Sequence, residues 1–189
     1  PTVSSKLYKK PFAVKDSILL TARLFDGEKP IGKSLHLRTD YHKGIGKKIT
    51  YAPGGRYYQH KEEYKGGGDA GLRGDKSYMD VRWQGFCPND LDAIIDLGEV
   101  TAIHRVMANF MQIRTPQVFL PAKVEVWASV DGKNFTLLGS DICSEEEAGK
   151  DVIFRDFGWI GTPTEARYVR FHAIQGKKQF LFTDEIVIQ

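Results

Sequence analysis

The run Lys123-Val124-Glu125-Val126-Trp127-Ala128 alternates residue by residue, so Val124, Val126 and Ala128 share one face of an extended strand. It leads into Ser129-Val130-Asp131-Gly132-Lys133-Asn134-Phe135, where Asp-Gly between two extended runs is a strong hairpin signal. The same texture recurs along most of the chain: short extended runs separated by turn residues, with few capped runs of helical period. Strands of this kind bury their apolar face only against another sheet. The expected fold is therefore all-β, an antiparallel sandwich closed at its ends by long loops.

Strands are expected over 18–25, 34–38, 47–51, 93–97, 103–113, 123–130, 135–138, 152–157, 167–174 and 185–188. The first two can pair as a hairpin through the Asp26-Gly27 turn. Residues 141–150 are the exception: Ser144 can cap a short helical turn, with Glu147 at the capping-box position. Between Asp40 and Gly74 glycines crowd and aliphatics thin out, with Ala52-Pro53-Gly54-Gly55 and Gly66-Gly67-Gly68 as loop signals. This change places a domain boundary near 41–44, giving an N-terminal unit 1–42 and a sandwich 43–189.

Composition narrows the class. Hydrophobic residues make up 41% and charged residues 27% of the 189 positions, which suits a packed domain. No apolar run approaches the ~20 residues of a membrane-spanning helix. The net charge of +3 is spread over scattered basic residues, which argues against nucleic-acid binding. Cys87 and Cys143 match no zinc or redox spacing, leaving a disulfide and two buried thiols both open. The chain opens at Pro1 rather than Met, which suggests an excised or processed product.

Four segments in order carry a resemblance. They are Trp83-Gln84-Gly85 leading to Ile94-Ile95-Asp96-Leu97-Gly98; Pro121 with Val124-Glu125-Val126 and the Asp131-Gly132 turn; Arg167-Tyr168-Val169-Arg170-Phe171; and Asp184-Glu185-Ile186-Val187-Ile188. Together they resemble the discoidin, or coagulation factor 5/8 type C, family, which are galactose-binding-like jelly-roll sandwiches that include many carbohydrate-binding modules. The sub-pattern Gly66-Gly67-Gly68-Asp69, Arg73-Gly74, Tyr78 and Arg82-Trp83-Gln84-Gly85-Phe86 is similar to the version found behind the catalytic barrel of bacterial chitobiases and β-N-acetylhexosaminidases. The front segment, with Leu7-Tyr8, Pro11-Phe12 and Thr21-Ala22-Arg23-Leu24-Phe25, is similar to the rear part of a fibronectin-III-like module.

The resemblance implies an accessory module of a secreted, periplasmic or cell-surface glycosidase, binding glycans of the GlcNAc, GalNAc or galactose type and packing beside its own catalytic domain. It implies no catalysis in this segment. Glycoside hydrolysis needs two carboxyl groups held around the scissile bond, and the one adjacent pair of the hexosaminidase kind, Asp184-Glu185, falls on the last strand of the sandwich. The implied sugar contacts are Gln84, where relatives often have His, then Gln112 and Arg114 in the loop after the fourth strand, and Phe180 before the final strand. Competing structural roles are core capping by Phe180 or Phe182 and a surface ion pair for Arg114; Trp83 is expected to be buried. The family often holds one structural calcium. Glu185 and Asp75 (or Asp69) stand at the implied ligand positions, although the usual Asp-Gly of that loop reads Ala70-Gly71 here. A module that only packs on its neighbour, and a protein- or phospholipid-binding domain with Phe119-Leu120 or Phe180-Leu181-Phe182 as apolar tips, are the alternatives; a membrane partner is disfavoured. Arg73-Gly74-Asp75 spells an adhesion tripeptide and His60-Lys61-Glu62 could bind metal; both read as coincidental.

Overall fold

A computed structural model describes residues 1–52, 73–74, 76–80, 82–177 and 179–189. The elements are β1 (Ile18–Asp26), β2 (Lys29–Thr39), β3 (Lys48–Tyr51), β4 (Gln84–Phe86), β5 (Leu91–Ile113), β6 (Pro121–Ser129), β7 (Thr136–Ile142), α1 (Glu145–Gly149), β8 (Val152–Gln175) and β9 (Leu181–Ile188). No helix among the described residues is long and apolar enough to cross a membrane.

Strands β5 and β8 pair antiparallel from Leu91 opposite Ala173 to Ile113 opposite Val152. Their length exceeds one layer, so they fold over, with register shifts between Asp96 and Thr101 and between Ile103 and Arg105. Gly98 supplies a positive φ of 88° at the bend. The Asp96 carboxylate accepts from the Gly98 amide at 2.8 Å. Arg167 grips the same carboxylate with two bonds of 3.0 and 3.2 Å, and Arg170 does likewise to Asp92 at 2.8 and 2.7 Å. Arg167 and Arg170 each hold their partner's carboxyl below the usual range, against the opposing effect of burial, which is the largest single influence on Asp92.

The near halves of β5 and β8 carry β3 on one side and β6 and β7 on the other; the far halves carry β9 and β4. The two halves face each other. Phe110 from one layer stacks on Phe171 from the other at 6.3 Å and 14°, and Phe157 meets Phe110 edge-on at 5.7 Å. Leu91, Ala93, Ile95 and Leu97 alternate inward as the period of two requires, and Val124, Val126 and Ala128 share the core face as expected.

The sequence separates 93–97 from 103–113 and 152–157 from 167–174, whereas the structure joins each pair into one bent strand. At 98–100 the residues are exposed and the alternation lapses, which is why the periodicity reads as a break. Strand β4 is a correction of the other kind: Gln84-Gly85-Phe86 is buried throughout and too short to alternate. The expected capping box is present, with Ser144 and Glu147 exchanging backbone and side-chain bonds. In the β6–β7 hairpin, Asp131 accepts from the amides of Asn134 and Lys133, both at 2.8 Å, and these donors hold its carboxyl far below the ordinary range. Cys87 and Cys143 are free thiols.

The β1–β2 hairpin forms a separate two-stranded sheet with Leu20 opposite Leu37, Ala22 opposite Leu35 and Leu24 opposite Ile31. Leu24 and Leu35 on that face are 74% and 62% exposed. Just beyond this hairpin the His42 side chain is buried against the sandwich, and the Lys43 amide donates to Ile188 O.

Close packing gives the fold a direct test. A Cβ at Gly158, where φ is 155°, would collide with the Val106 carbonyl, and one at Gly74 would enter the Trp83 indole; Gly149 has open space around it. Gly158→Ala and Gly74→Ala are each expected to destabilise by about 3 kcal/mol in urea unfolding, while Gly149→Ala stays within about 0.5 kcal/mol of the parent.

Candidate functional site

Two loops meet at the end of the sandwich where β5 stops and β9 starts. In the first, Ile113 and Val118 exchange backbone bonds of 3.0 and 3.1 Å, and Gln117 takes a left-handed φ of 60° to close the turn. The second loop is stitched to the first: the Phe119 amide donates to Phe180 O at 2.9 Å, and the Phe180 amide to Gln117 O at 3.3 Å. Beneath them lies a small apolar cluster of Trp83, Met111, Val118 and Phe182, against which Ile113, Phe154 and Phe180 pack. The loops therefore rest on a filled base and are cross-linked by backbone bonds.

Among the expected sugar contacts, Arg114 and Phe180 come together at this end. Arg114 is exposed and donates from its guanidinium to Ala148 O. The expected competitor, an Arg114 ion pair, is not found among the described residues; the partner is the carbonyl end of α1. Phe180 is half-buried, its ring tilted against Phe182 at 6.1 Å. The rim they form also carries Gln117, Phe119 and Lys177, whose ammonium lies 4.6 Å from the Phe119 ring centre. The sequence alone does not single out Gln117 or Lys177 as site residues, because no local signal marks a left-handed glutamine or distinguishes one lysine among scattered basic residues.

Gln112 and Gln84, the other two expected contacts, are engaged inside the fold. Gln112 is buried, and its amide nitrogen donates to the carbonyls of Glu147, Ala148 and Lys150, while its oxygen accepts from the Leu120 amide. It satisfies the orphan carbonyls at the end of α1, a role that Arg114 shares. Gln84 is 5% exposed, accepting from Tyr51 Oη at 2.9 Å and donating to Asp184 O at 3.1 Å. Both ends of each planar amide are therefore engaged within the protein. Trp83 is buried as expected, with Gly74 flat against its indole.

Of the implied metal residues, only Glu185 is among those described, and it lies away from this rim. Asp75, like Asp69 and residues 60–62, falls outside the described residues. Glu185 is fully buried, its Oε1 3.0 Å from His42 Nε2. The Gly44 amide donates to His42 Nδ1 at 3.1 Å, so that nitrogen is unprotonated and Nε2 is the donor to Glu185. Next to this pair, Arg73 is buried among Asp40, Asp156 and Asp184, at 3.3, 2.7 and 3.3 Å. An arginine so enclosed offers no adhesion tripeptide to a partner. Among the described residues no group of three His, Cys, Asp or Glu side chains is placed to hold a metal ion. Calcium requires six or more oxygens, and of the described carboxylates here Glu185 faces His42 while Asp184 and Asp156 accept from N–H donors.

A second concavity, about 800 Å³, lies at the other end of β9, lined by Tyr41, Lys43, Lys47, Leu97, His104 and neighbouring residues.

Burial raises the Asp184 carboxyl to about 6, against the pull of Arg73 and two amide donors. The folded state therefore holds this proton more tightly than the unfolded chain, and the group's contribution to stability falls as pH rises from about 4 to about 6. Asp184→Asn should lie further below the parent at pH 4 than at pH 7, by on the order of 3 kcal/mol. Urea titrations of both proteins at the two pH values check the sign.

No protein-family model matches the chain, and no curated protein matches it. Solved structures that are similar include chitosan-binding module 1 of a chitosanase/glucanase from Paenibacillus sp. IK-5, with 17% identity, 79% of this chain and 98% of that one covered, and a TM-score of 0.48. A second is CBM32-1 of a family 31 glycoside hydrolase from Clostridium perfringens, with 17% identity, 78% and 97% coverage and a TM-score of 0.45. A third is the lectin domain of lectinolysin complexed with Lewis B antigen, with 16% identity, 78% and 95% coverage and a TM-score of 0.47.

Proposed function

We propose that the chain is a non-catalytic glycan-binding module whose site is the rim formed by Arg114, Gln117, Phe119, Lys177 and Phe180. The observation that carries this reading is the stitching of the two loops over the Trp83–Phe182 cluster. It sets aromatic edges beside exposed donors on a base that does not have to reorganise, and a sugar ring with its bordering hydroxyls asks for that combination. A rim this shallow binds single sugars weakly and gains through attachment to a second site.

The Asp184-Glu185 pair supports the non-catalytic reading. Both side chains are buried among the described residues and bonded internally, whereas hydrolysis needs two carboxyl groups free to flank a glycosidic bond. On the sequence resemblance, the parent is a β-N-acetylhexosaminidase or chitobiase acting outside the cytoplasm. The apolar face of the β1–β2 hairpin suits a strand pair that completes its module with a preceding segment, since two strands alone are marginal in water.

The test is binding of the chain to a panel of GlcNAc, GalNAc, galactose, chitosan oligomers and fucosylated oligosaccharides, with Phe180→Ala and Arg114→Ala alongside. Each substitution is expected to weaken binding about tenfold or more, ~1.4 kcal/mol, with circular dichroism unchanged. Absence of binding to every member at millimolar concentration would instead favour a module that only packs on its neighbour.

A further inference from the structure

The fold implied by the resemblance often holds its loops with a divalent cation. The guanidinium of Arg73 reaches three carboxylates and one carbonyl at once: Nε to Asp40 and to Asp184, Nη2 to Asp156, and Nη1 to Glu185 O at 3.4 Å. The side chain is 5% exposed. The oxygens around it are aimed at N–H donors. Asp184 accepts from the amides of Gly74 at 3.0 Å and Glu185 at 2.6 Å, and Asp156 accepts from Asn109 Nδ2 at 2.9 Å. Glu185, at the position where a metal-ligating carboxylate is implied, is taken by His42, whose orientation is locked by Gly44.

We infer that Arg73 serves as a built-in cation, with neutral His42 occupying the Glu185 carboxylate beside it, so that this sandwich folds and holds the segment after β2 without calcium. A planar guanidinium suits the role because its fixed fork can address several carboxylates together, which an ammonium cannot. The arrangement also ties this segment to the sandwich: Asp40 lies just beyond β2, and the Arg73 amide donates to Arg38 O at 3.1 Å. Removing Arg73 leaves three carboxylates facing one another, and removing one partner of a buried charge network is the costly change.

Thermal unfolding of the full 189-residue chain, in EDTA and in millimolar calcium, reads this directly. The midpoint is expected to agree in the two conditions within about 1 °C, whereas a site filled about a thousandfold above its Kd would raise it by on the order of 10 °C. Arg73→Met should lower the midpoint by on the order of 5 °C or prevent folding, and Asp156→Asn, at the most exposed of the three carboxylates, should lower it less. A calcium-dependent midpoint in the parent protein would overturn the inference, as would an Arg73→Met variant as stable as the parent. The parent's calcium response decides the matter even where Arg73→Met does not fold.

Discussion

The pairing of β5 with β8 is the constraint on which the rest of the molecule hangs. Two strands that run through both layers, Leu91–Ile113 against Val152–Gln175, fix the position of every other sandwich strand by their edges and faces. Their bend also forms the core, since folding the pair over brings Phe110 onto Phe171 and closes the apolar faces without a separate crossover. The tight approach of Gly158 to Val106 and the turn at Gly98 make the bend sterically possible. Because β5 leaves the far layer at Ile113 and β9 enters beside it, the same pairing delivers Arg114 and Phe180 to one end of the molecule.

The charge corner and the proposed rim occupy different places on this frame. Arg73, His42 and their carboxylates tie the segment after β2 to the sandwich, with Arg73, His42, Asp184 and Glu185 buried and Asp156 partly exposed. The rim at the far end of β5 is exposed but built on bonded backbone. Gln112 links the frame to the rim: its buried amide pins α1, and α1 in turn presents the carbonyl that orients Arg114. A substitution at Gln112 would therefore disturb the rim without touching a ligand.

Much of the fold is legible in the sequence because local chemistry and tertiary structure agree there. The Asp131-Gly132 hairpin, the Ser144–Glu147 capping box, the β1–β2 pairing and the inward set Val124, Val126 and Ala128 each depend on residues close in sequence or on period alone. What is not legible depends on partners distant in sequence. Whether Gln84 or Gln112 faces a sugar or a carbonyl depends on partners 100 and 36 positions away, which no local pattern reveals. His42 reads as a linker residue until Glu185, 143 positions on, is placed against it. The continuity of β5 and β8 was hidden because a bend suspends alternation while preserving pairing. Arg114 and Phe180 were legible as loop residues flanking strands, but their cooperation with Gln117 and Lys177 arises only from the stitched loops.

If the rim is the binding surface, ligand engages it and not the rest of the protein. Titrating a glycan that binds the chain into isotope-labelled protein, and following backbone amide shifts by NMR, locates the contact. Shifts are expected to concentrate in residues 114–119 and 176–180, with the concavity around Tyr41, Lys47 and His104 silent. Shifts confined to that concavity, with the rim unmoved, would contradict it.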